Sequence, residues 1–131
     1  IKIKKIKLYS NVKKVLKIFK NKNLNYSIVT SKDINRTKKI IKFFNLYPKS
    51  IHCPKKSLRG KPYPDQILEC LKKNKIKNKK KVCYVGDTNF DYLAAKKAGI
   101  GFIYCNYGYG KKSIKYKHKI NNFKSLVSYI V

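Results

Sequence analysis

Apolar positions along this chain follow two alternating rhythms. Val12, Val15, Leu16 and Phe19 recur at helical spacing with lysines between them, which predicts a helix. Asn11 is its candidate cap, and the Asn21–Asn25 stretch closes it. Tyr26-Ser27-Ile28-Val29-Thr30 reads as a short buried strand. Ser31 or Asp33 then caps a second helix whose inner face is Ile34, Ile40, Ile41 and Phe44, and Leu46-Tyr47-Pro48 breaks it. Ser50-Ile51-His52-Cys53 is a weak strand stopped by Pro54. After the polar loop Lys55–Lys61, Pro62 and Pro64 bracket the entrance to a third helix with Ile67, Leu68 and Leu71 inward.

The second half repeats the alternation. Residues 74–81 form a lysine-rich surface loop, and 82–86 a buried strand ending in an acidic turn. A helix over 90–98 closes at Gly99, a left-handed cap. Gly101-Phe102-Ile103-Tyr104-Cys105 is a further strand. Tyr107-Gly108-Tyr109-Gly110 is a glycine-rich loop, and a last helix is expected over 122–130. Strands alternating with helices imply βαβ units and a parallel sheet, so the fold class is α/β. There is no internal repeat and no linker, and 131 residues make one domain with room for a real core.

Composition narrows the function classes. A hydrophobic content of 43% excludes a disordered chain despite a formal charge of +29. No apolar run is long enough to span a membrane, and no signal peptide is visible. The charge is nearly all lysine, spread over every predicted element, and the arginines are Arg36 and Arg59 alone. Lys, Asn, Ile and Tyr share A/T-rich codons, so biased coding accounts for the excess. Arginine, the usual bidentate base reader, is nearly missing, and binding to nucleic acid is expected to be non-specific and salt-sensitive. Cys53, Cys70, Cys83 and Cys105 form no C-x-x-C pair, and His52 and His118 complete no zinc spacing. Buried, reduced thiols in a cytoplasmic protein are expected.

Against that background the acidic turn stands out. The chain has five acidic residues, and two of them, Asp87 and Asp91, flank the strand-to-helix turn Val85-Gly86-Asp87-Thr88-Asn89-Phe90-Asp91. A helix N-terminus attracts carboxylates by its dipole alone. Paired carboxylates at the carboxyl end of a strand also suit a hard cation such as Mg2+.

Three pieces then line up in order: Ile28-Val29-Thr30, Lys61-Pro62-Tyr63-Pro64-Asp65, and Val85-Gly86-Asp87-Thr88-Asn89-Phe90-Asp91 followed by Ala94, Ala95, Ala98 and Gly99. Together they resemble the haloacid dehalogenase-like (HAD) hydrolase superfamily, in its phosphoglycolate-phosphatase-like branch, from about Leu8 onward. The resemblance implies a three-layer sandwich with a parallel, Rossmann-like sheet. It implies Mg2+-dependent hydrolysis of a small phosphomonoester through an aspartyl-phosphate. Thr30 and Lys61 would take the catalytic positions, with Thr30, Ser31 and Lys61 binding phosphate and Asp87 and Asp91 binding metal. Those residue types suit the chemistry, because a phosphoryl transition state spreads negative charge over oxygens and needs cations and donors already in place.

One part of the family pattern is missing. Its first motif, D-x-D-x-T/V, supplies the nucleophile and the general acid/base, and here the first acidic residue is Asp33, beyond Thr30. The helical cap between the first two motifs is missing as well. The expectation is therefore a partial core domain over residues 1–131, lacking its central first strand between the strands that end at Thr30 and Gly86. Both neighbouring strands would expose an edge. Such a chain should need a separate N-terminal segment for turnover. A non-catalytic module that binds anions or a partner, and a lysine-rich nucleic-acid binder, are the alternatives.

Overall fold

Helical spacing becomes helix where the apolar stripe finds a surface to cover. In the computed structural model, which describes residues 12–106 and 116–130, α1 (Val12–Asn21) buries Val15 and Phe19. Next come β1 (Ile28–Val29), α2 (Ile34–Phe43), β2 (Ile51–His52) and α3 (Asp65–Lys73). A short 3-10 turn at Lys79–Lys81 leads to β3 (Cys83–Gly86), α4 (Asn89–Ala98) and β4 (Gly101–Cys105). β5 (Lys119–Ile120), a 3-10 turn at Phe123–Leu126 and α5 (Val127–Ile130) complete the order.

The strands form two parallel sheets. β1 pairs with β2, while β3, β4 and β5 form a second sheet in that order. Each is too small to bury both faces alone, so helices cover them. Alternate residues of β3 and β4 point to opposite sides, as the pleat requires. Val85, Ile103 and Cys105 pack with Val15, Phe19, Ile120 and Leu126 on one face. Val82, Tyr84 and Phe102 pack with Ile67, Leu71, Ala94, Ala95 and Ala98 of α3 and α4 on the other. The result is the expected α/β arrangement of helix, parallel sheet and helix. Small side chains let α4 lie close to the sheet: Ala94 and Ala95 are 0% exposed.

Among the described residues β1 and β3 belong to different sheets and do not pair. Ile28 N–H donates to Ser50 O, and Thr30 N–H donates to His52 O, at 3.0 and 3.1 Å. Residues 28 and 30 therefore face β2, and the backbone of Val29 faces the other way, toward β3. There the hydroxyl of Tyr84 reaches across to within 3.3 Å of Val29 O.

Several local expectations change. Leu68 is 40% exposed, so the inner stripe of α3 is Ile67 and Leu71. In α2 the buried residue is Thr37, and Ile34 is 41% exposed, because β1 and β2 present only two residues each for that helix to cover. Cys53 and Cys105 are buried as expected, but Cys83 is exposed. The last helix starts as a 3-10 turn because Asn122 accepts from Ser125 N–H, tightening the opening. Strand β5 went unseen, since its two residues carry one apolar side chain. The candidate cap Asn11 and the loop 107–110 lie outside the described residues.

Candidate active site

The site grows from two strand ends and one loop. Thr30 follows β1 directly. Its Oγ1 accepts from Lys32 N–H at 3.1 Å, opening the turn into α2. Asp33 caps that helix by accepting from Arg36 N–H at 2.9 Å, the role expected of Asp33 or Ser31. Ser31 itself is exposed at the same turn. Gln66, fully buried on α3, donates to both Thr30 O and His52 O at 2.8 and 2.9 Å. That clamp fixes the carboxyl ends of β1 and β2 against α3.

Lys61 arrives on a stiffened loop. Arg59 grips Asp65 through Nε and Nη2 at 2.9 and 3.0 Å, and Asp65 also accepts Arg59 N–H at 3.0 Å. The Arg59 guanidinium lies 4.1 Å over the Tyr63 ring. Asp65 therefore ties the loop rather than the helix, and its hydrogen bonds from Arg59 hold its carboxyl below the usual range. The loop delivers the Lys61 ammonium to Asp91, 2.6 Å away, with side chains only 15% and 4% exposed.

Asp91 is the hub. Its Oδ2 accepts Asp87 N–H at 3.0 Å and Thr88 N–H at 3.1 Å, and Thr88 Oγ1 accepts Asp91 N–H at 3.1 Å. This reciprocal capping box starts α4 and satisfies donors that every helix leaves open. Burial alone would raise the Asp91 carboxyl. The Lys61 charge, its hydrogen bond and the donors at the turn outweigh that, so the carboxyl stays below its ordinary value. Asp87 sits just past the end of β3, one residue before the cap.

Tyr84 joins these parts, and sequence reading missed it. Its hydroxyl accepts from Lys61 Nζ at 3.2 Å and lies 3.4 Å from Asp91 Oδ1 and 3.3 Å from Val29 O. Burial, then the nearby Asp91 charge, pushes the phenol well above its ordinary range, so it stays protonated. The hydroxyl thus links the backbone next to Thr30 with the Lys61–Asp91 pair. A signal existed in the sequence: a polar-tipped aromatic in an apolar strand three residues before a carboxylate needs a buried partner.

Among the described residues, no group of three or more His, Cys, Asp and Glu side chains could hold a metal ion. Hard oxygen donors suited to Mg2+ are present in Asp87 and Asp91, with both oxygens of Asp91 engaged as described. His52 has a structural role. It is 1% exposed, with Nδ1 2.6 Å from Glu69 Oε1 and Nε2 2.8 Å from Ser50 Oγ.

Residues 1–105 match the family profile described as haloacid dehalogenase-like hydrolase. The chain belongs to that family. Among solved structures, this HAD chain is similar to a proposed phosphatase from Clostridium difficile, at 27% identity and a TM-score of 0.87, covering 98% of this chain and 63% of that one. A HAD-superfamily hydrolase from Ehrlichia chaffeensis matches at 25% identity and a TM-score of 0.82, over 95% of this chain and 58% of that one. A predicted phosphoglycolate phosphatase from Haemophilus somnus 129PT shares the fold at 24% identity and a TM-score of 0.87, over 95% and 58%. The HAD chain thus spans little more than half the length of the solved relatives it matches. Among curated proteins, none matches. No helix among the described residues is long and apolar enough to cross a membrane.

Proposed function

We propose that these residues form the phosphate- and metal-holding half of a phosphatase site acting on a small phosphomonoester. The observation that carries this reading is the buried Lys61–Asp91 pair, joined through the Tyr84 hydroxyl to the backbone beside Thr30. Thr30 would bind a phosphoryl oxygen through its hydroxyl, and Ser31 would add its backbone N–H. Lys61 has three N–H bonds and uses two, on Asp91 and Tyr84, which leaves one for a phosphate oxygen. Asp87 and Asp91 would be the residues that hold Mg2+. Bound Mg2+ supplies charge neutralisation at the phosphoryl oxygens.

The reaction also needs a carboxylate nucleophile, and none of the five acids is placed for that task. Asp33 caps α2, Asp65 holds Arg59, Glu69 holds His52 and Lys55, and Asp91 is spent on Lys61. Asp87 is needed for the metal. The 131-residue chain is therefore expected to bind inorganic phosphate but not to hydrolyse p-nitrophenyl phosphate, with or without Mg2+. Turnover should appear when a strand carrying an Asp is supplied to the edges of β1 and β3. Metal-dependent release of p-nitrophenol by the chain alone would refute the division of labour. Failure to bind phosphate would refute the site itself.

A further inference from the structure

Resting on that reading, we infer that Tyr84 is a positioning residue, setting both the direction of the Lys61 ammonium and its spacing from Thr30. Three observations lead there. The hydroxyl lies between three groups that belong to different pieces of the chain: Val29 O on β1, Lys61 Nζ on the loop before α3, and Asp91 Oδ1 on α4. The ring cannot drift, because it packs among α3 and α4 side chains and against Phe102 at 6.4 Å between centroids. Finally, the Val29 carbonyl has turned away from β2, so Tyr84 occupies an acceptor that an adjacent strand would otherwise use.

The hydrogen-bond inventory makes the arrangement specific. A phenol has one hydrogen and accepts on its oxygen. Lys61 donates to that oxygen, so the single hydrogen is directed to Val29 O or to Asp91 Oδ1. Both distances, 3.3 and 3.4 Å, are long, which puts the hydroxyl midway between the two acceptors. Held by Asp91 and Tyr84, the ammonium keeps two N–H directions fixed, and tetrahedral geometry fixes the third. Removing the hydroxyl frees the ammonium to rotate about its contact with Asp91 and cuts the tie to the backbone next to Thr30.

The test compares Tyr84→Phe with the full chain, using inorganic phosphate as the probe at a salt concentration that suppresses diffuse binding. Phosphate affinity, read by phosphorus NMR, should fall about three- to tenfold, the effect of losing one hydrogen bond. The nitrogen resonance of the Lys61 ammonium, identified by its loss in Lys61→Met, should shift, while the circular dichroism spectrum stays the same. A merely structural tyrosine would move neither affinity nor that resonance. Thr30→Ala and Lys61→Met separate the two levels of the argument, with Thr30→Ala serving alone if the lysine variant does not fold. If they weaken binding and Tyr84→Phe leaves both readouts unchanged, the Tyr84 assignment is wrong and the site stands. If phosphate binding is indifferent to Thr30→Ala as well, the phosphate site is wrong and Tyr84 falls with it.

Discussion

Gly86 and Asp91 are in such close contact that a methyl group at residue 86 would lie 2.6 Å from both Cβ and Oδ2 of Asp91. Neither the strand end nor the first turn of α4 can yield without losing hydrogen bonds. Gly86→Ala should therefore push Asp91 out of its cap and away from Lys61. Overpacking of this kind costs about 1–3 kcal/mol. The loss should be read as a lower urea midpoint with an unchanged slope.

Thr88 is the other half of that cap, accepting from Asp91 N–H. Thr88→Ala should destabilise the chain by about 1 kcal/mol, the ordinary cost of losing an N-cap oxygen. Thr88→Ser keeps the oxygen and should restore most of it. Thermal unfolding of the pair is the measurement, and equal losses in both would mean that the threonine methyl, not the cap, matters.

Acid should expose a second network. Glu69 is held below its ordinary value first by Lys55 and then by His52, at 2.8 and 2.6 Å. A depressed carboxyl stabilises the fold above its unfolded pKa, about 4.3, and that contribution disappears as pH falls through the lower folded value. Stability should therefore decline below about pH 4.3. Glu69→Gln should be less stable at neutral pH and should show a flatter decline on acidification, measured by denaturant midpoints across that window.

Magnesium gives an independent reading of Asp87. If the turn takes Mg2+ in the folded state alone, added Mg2+ raises the melting temperature by mass action, and more so with phosphate present. Asp87→Asn should abolish the increment while leaving the capping box intact, since the box uses Thr88 and Asp91. An increment that survives Asp87→Asn would place the cation elsewhere.

How much of this was legible in the sequence depended on the range of each interaction. Local rules carried the helices, the Asp33 cap and the left-handed Gly99, whose φ of 79° is the conformation a glycine cap serves. Thr30 and Asp87 stand out in the sequence because each follows the last residue of a strand, Lys61 because it precedes Pro62 on the way into α3, and Asp91 because it lies in the first turn of α4. The burial of α2 was not legible: a stripe such as Ile34, Ile40 and Ile41 shows where a helix is apolar, not what lies opposite. Leu68 failed for the same reason. His52 looked like one more polar residue in a weak strand, and its partners Ser50 and Glu69 become neighbours only when β2 packs on α3. The link from Tyr84 to Val29 spans 55 positions along the chain, beyond any local pattern.

The inward turn of Asp91 has a further consequence. An unaccompanied ammonium under the surface would oppose folding. By carrying its own counterion, the protein lets Lys61 go under cover before any ligand arrives. Removing that counterion would leave a covered positive charge without a partner, so the loop that carries Lys61 and the turn that carries Asp91 depend on each other to stay folded.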